Sequence, residues 1–80
     1  MNDTIKPGMR FKNGIMDLTV LCHTGVYGKS LALLLCENDG LFITVRNLGL
    51  WRGQFTWDWG HYFFDLREAL DDYDARMKDL

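Results

Sequence analysis

Eighty residues, 48% apolar and 25% charged with a net charge of -2, make one small domain and too little chain for two. Such a composition excludes intrinsic disorder, and no stretch approaches the roughly 20 apolar residues of a membrane-spanning helix. The first fifteen residues carry Lys6, Arg10 and Lys12 without a continuous apolar core, so no signal peptide is expected and the protein reads as cytoplasmic.

In chain order, residues 1–5 read as a loose start. Pro7-Gly8 fits the central pair of a type II turn, where proline presets the first φ and glycine supplies the positive second one. Met9 to Phe11 reads as a short strand, and Asn13-Gly14 as a tight turn. Ile15–His23 and Ser30–Cys36 are rich in β-branched and aliphatic residues, and the two-glycine stretch Thr24–Gly28 joins them as a hairpin centred near Val26. Glu37–Gly40 suits a type I turn closed by glycine. Leu41–Arg46 alternates, with Leu41, Ile43 and Val45 on one face and Phe42, Thr44 and Arg46 on the other. Asn47–Gln54 contains two glycines and is expected to leave the sheet. Phe55–Phe64 returns to strand, with a bulge or close approach at Gly60.

The end of the chain predicts a helix. Asp65 can cap it, with Glu68 at capping-box spacing. Leu66, Ala69, Leu70, Tyr73, Met77 and Leu80 form one apolar stripe. Asp72 with Arg76, and Asp74 with Lys78, stand at i, i+4 in the favourable order, worth ~0.3 kcal/mol each. The expectation is an α+β domain, a curled antiparallel sheet of four or five strands (residues 1–64) packed against one C-terminal amphipathic helix (residues 65–80). Leu31–Cys36 is apolar on both faces, and one helix covers only one. The second face therefore calls for the aromatic segment 51–64, for strong curling, or for a second copy of the chain or another partner.

Few residues sit at spacings that chemistry requires. Cys22 and Cys36 are not a Cys-x-x-Cys pair and read as buried thiols, Cys22 opposite Ser30 and Cys36 opposite Met16. Cys22 and His23 point to opposite faces of a strand, so neither a metal site nor a Cys–His nucleophile pair is expected. Gly25-x-x-Gly28-Lys29-Ser30 shares the tail of a phosphate-binding loop, but the glycine spacing is one residue short and no helix follows. No cofactor and no enzymatic activity are expected.

Two surfaces remain. The segment 48–64 holds all three tryptophans. Trp and Arg on exposed segments are common binding hot spots, so Trp51, Arg52, Trp57, Trp59 and Arg46 are the expected contacts for a protein partner. The same residues could stack single-stranded bases. Residues 65–80, however, hold six acidic and three basic side chains, against five and six in residues 1–64, and so no basic face is expected for nucleic acid. Asp71, Asp72 and Asp74 form the second surface, either a solvated face or an acidic mimic of nucleic acid.

The segments Tyr27–Leu34 and Gly60–Leu70, about a quarter of the chain, resemble small uncharacterised proteins of plasmids, phages and conjugative elements of gut bacteria. The resemblance implies a cytosolic accessory protein of a mobile element, and by analogy an inhibitor of a host defence nuclease. It carries no catalytic motif.

Overall fold

The computed structural model describes residues 5–26, 28–52 and 54–80. Five strands, β1 (Arg10–Asn13), β2 (Met16–Val26), β3 (Lys29–Cys36), β4 (Leu41–Trp51) and β5 (Gln54–Phe63), precede the helix α1 (Leu66–Met77). Every strand pairs antiparallel with the next, in the order β1-β2-β3-β4-β5. Short local turns make this meander the natural outcome, because each hairpin needs only its own turn residues to form. Before β1, the Met9 amide donates to the Lys6 carbonyl at 3.2 Å and Gly8 has φ 91°, which is the type II turn expected of Pro7-Gly8. The expected loose start at residues 1–4 lies outside the described residues.

The sheet curls until its two ends meet. Phe11 of β1 stacks on Phe55 of β5 with ring centroids 3.7 Å apart, and Trp57 meets Phe11 edge-on at 6.4 Å. Inside the curl, Leu18, Val20, Ala32, Leu34, Ile43, Val45 and Leu48 are buried. On the convex face, Leu31 and Leu33 are buried beneath Ala69 and Tyr73 of α1. The two-faced β3 is thus covered on both sides by its own chain, each large side chain contributing about 1.5–3 kcal/mol on burial. No second copy is needed to hide it, and Trp57 is drawn into the curl rather than left on the outer face.

Two registers differ from expectation. The β2–β3 hairpin pairs Val26 with Lys29, so the strands run almost to its tip, and its residue Tyr27 lies outside the described residues. Cys22 therefore faces Leu33 and Cys36 faces Leu18, and both thiols are free. Gly25 belongs to β2: a Cβ there would strike the Lys29 carbonyl oxygen, and its φ is 93°. Asn47–Gln54, expected to leave the sheet, largely belong to it: β4 runs on to Trp51, with Gly49, Leu50 and Trp51 paired to Thr56, Phe55 and Gln54, and Asn47 and Leu48 fall in a bulge between ladder pairs.

The helix starts as its sequence predicts, with the Asp65 carboxylate accepting from the Arg67 amide at 3.0 Å. Its buried face is turned from the expected stripe. Ala69 and Tyr73 are buried, but Leu66, Leu70 and Met77 are exposed, while Asp72 and Arg76 turn toward the sheet. Neither expected i, i+4 ion pair forms: Asp72 and Arg76 bond to the strands instead, and Asp74 and Lys78 are both exposed to solvent. Among the described residues no helix is long and apolar enough to cross a membrane.

Candidate interaction site

The site is made by a fault in the β4–β5 ladder. Thr44 pairs with His61 and Arg46 with Asp58, so β5 spends one residue more than β4 between these pairs. From Arg46–Asp58 to Gly49–Thr56 the excess lies on β4 instead. The two bulges compensate and restore the register, and each has a residue in the left-handed region: Trp59 at φ 51° and Asn47 at φ 55°. Asparagine tolerates that conformation, and Asn47 Nδ2 donates to Asp58 Oδ2 at 3.3 Å. For tryptophan it is an outlier. The sequence points to a bulge at Gly60, and the structure puts the positive φ one residue earlier.

The bulge throws the Trp59 indole outward, leaving it 77% exposed. Beside it lies a pocket of about 290 Å³ lined by Arg46, Trp59, His61, Arg76 and Asp79. A polar network from α1 holds the pocket floor. Thr44 Oγ1 donates to Asp72 Oδ2 at 2.5 Å, and His61 Nδ1 lies 3.0 and 3.1 Å from the two Asp72 oxygens. A carboxylate only accepts, so Nδ1 carries the hydrogen. Arg76 Nη1 donates to the Thr44 carbonyl and to Thr44 Oγ1, both at 3.0 Å, and Nη2 donates to the Trp59 carbonyl at 2.6 Å. Arg76 therefore clamps the strained peptide that presents the indole. Burial lowers the Arg76 pKa from its ordinary value, Asp72 draws it back up, and the positive charge of Arg46 lowers it.

Arg46 differs from its neighbour. It is half-buried, and among the described residues its side chain makes no hydrogen bond or ion pair. A larger groove of about 460 Å³ along β1 and β2 lacks this feature, since its arginine, Arg10, is exposed to water and its lysine, Lys12, lies 3.7 Å from Asp17.

Of the residues singled out in the sequence, Arg46 and Trp59 come together here. Trp51 and Arg52 lie at the opposite end of the β4–β5 ladder, at the hairpin tip, where Gly53 lies outside the described residues. Trp51 is 37% exposed, and Trp57 packs half-buried against the interior. Asp71 and Asp74 are exposed on α1, whereas Asp72 is turned under the helix and does not belong to an acidic outer face. His61 and Arg76 complete the site. Gly60 was the available signal for His61, because a bulge there alters which β5 side chains share a face with Thr44. Among the described residues no group of three or more His, Cys, Asp or Glu is placed to hold a metal ion. No protein-family model, curated protein or solved structure matches the chain.

Proposed function

We propose that this protein is a non-enzymatic protein-interaction module, and that its contact centre is the Trp59 pocket rather than the β4–β5 hairpin tip. The observation that carries this reading is the backbone of Trp59. A bulge that needed only a positive φ would put glycine there, and a glycine stands at the next position, Gly60. The chain instead holds a bulky residue in a conformation that costs about 1–2 kcal/mol, clamps its carbonyl with Arg76, and leaves its ring to solvent. Strain kept without a packing return is a mark of a working surface. Exposed Trp beside Arg is the composition of a protein-binding hot spot.

Charge favours a protein over a nucleic acid. Arg46 and Arg76 are matched around the pocket by Asp58, Asp72 and Asp79, so a polyanion finds no net positive surface. The acidic-helix reading is weakened in turn, because Asp72 is engaged with the sheet. We place the protein in the cytoplasm, where two free thiols persist, and the accessory role in a mobile element rests on the sequence resemblance alone.

Affinity capture from cells that carry the gene tests the reading. A protein retained by the wild type and by Trp51→Ala, but lost with Trp59→Gly, is the expected result. Retention that ignores Trp59 refutes it.

A further inference from the structure

We propose that the group entering the pocket is a single side-chain carboxylate of the partner, received by Arg46 and covered by the Trp59 indole; this rests on the interaction-module reading. The two arginines of the pocket have different duties. Arg76 commits both terminal nitrogens to Thr44 and to the Trp59 carbonyl, and Asp72 stands beside its charge, so it builds the pocket. Arg46 is half withdrawn from water with no acceptor of its own among the described residues. Its cross-strand neighbour Asp58 takes a hydrogen bond from Asn47 instead. A guanidinium in that position is short of acceptors, and a planar carboxylate matches its fork with two parallel bonds.

The surroundings select among anions. Asp79 lines the site and Asp58 is the cross-strand neighbour of Arg46, and their repulsion doubles for a dianion such as a phosphate monoester and repeats along a nucleic-acid backbone. A singly charged carboxylate meets the least of it. Size points the same way. About 290 Å³ lies at the low end for a site that encloses a whole small molecule, roughly 300–1,000 Å³, yet it is ample for one side chain. The open indole then covers the methylene groups next to the carboxylate.

The test is a titration of the ¹⁵N-labelled full chain, following the Trp59 indole N–H and the Arg46 Nε–H. The probes are an acetylated, amidated Gly-Glu-Gly peptide with one carboxylate, its Gly-Gln-Gly counterpart, inorganic phosphate and a single-stranded thymidine oligonucleotide. The glutamate peptide alone is expected to shift both signals saturably. Arg46→Gln is expected to weaken it by about tenfold or more, the loss of a charge-assisted hydrogen bond, and Arg46→Lys, with an otherwise unchanged spectrum, to weaken it less. Equal binding of the glutamine peptide, tighter binding of phosphate or of the oligonucleotide, indifference to Arg46→Gln, or no shift with any probe overturns the proposal. The two readings fail separately: a partner captured through Trp59 but indifferent to Arg46→Gln removes the carboxylate and leaves the module standing.

Discussion

Replacing Trp59 by glycine and, separately, by alanine isolates the strain on which the functional reading depends. Both changes delete the same indole, so whatever packing it provides at 77% exposure is lost equally and cancels in the comparison. What remains is backbone. At an ordinary strand position glycine is less stable than alanine by about 0.5–1 kcal/mol, because its unfolded chain has more freedom to lose. At φ 51° alanine keeps the left-handed penalty of about 1–2 kcal/mol and glycine does not. Subtracting the entropy from the strain cancels or reverses the usual order, so Trp59→Gly should match Trp59→Ala in stability or exceed it by up to about 1.5 kcal/mol. For a domain of this size each kcal/mol corresponds to a melting difference of about 4–8 °C. Urea denaturation monitored by far-ultraviolet circular dichroism, with thermal melts alongside, measures it. Alanine more stable than glycine by the ordinary margin of about 0.5–1 kcal/mol would refute the reasoning, since Trp59 would then carry no strain for function to explain.

Four further changes test the surrounding structure. Gly25→Ala puts a methyl group into the Lys29 carbonyl at a positive φ and should cost more than about 1 kcal/mol in chemical denaturation, where Gly28→Ala, with open space around it, meets only the backbone penalty. Tyr73→Phe removes the hydroxyl that lies 2.8 Å from Thr24 Oγ1 and donates to the Leu31 carbonyl at 3.3 Å, and should lower stability by about 1 kcal/mol by the same measurement. Asp72→Ala should cost about 1–3 kcal/mol by leaving Thr44 without its acceptor, whereas Asp71→Ala on the exposed face should stay within about 0.5 kcal/mol. Burial lowers the His23 pKa below 6.5, so the unfolded chain binds this proton more readily than the folded one. Stability should therefore fall as pH drops from 6.5 to the lowered value and level off below it, and His23→Gln should remove that part of the pH slope in melts between pH 7 and pH 5.

How much of this was legible beforehand follows the range of each interaction. Pro7-Gly8, the Glu37–Gly40 turn and the Asp65 cap are governed by neighbouring residues, and all three stand where the sequence puts them. The fold class followed from them, since five short strands with local turns and one amphipathic end leave few other arrangements. The site was only half legible. Arg46 and Trp59 were singled out by residue type, but the same reasoning chose Trp51 and Arg52, which the ladder carries to its far end.

Local sequence thus determined where the chain turns, which segments extend and where the helix begins, because those depend on φ preferences and caps within a few residues. Tertiary structure alone decided which face of the helix is buried. The apolar stripe offers Leu66 and Leu70, yet the bonds of Asp72 and Arg76 to Thr44, His61 and Trp59 rotate the helix toward its polar flank. It also decided the two offset bulges, since a bulge depends on the pairing of β4 with β5 and on a helix clamp from Arg76, neither of which any single stretch of sequence contains.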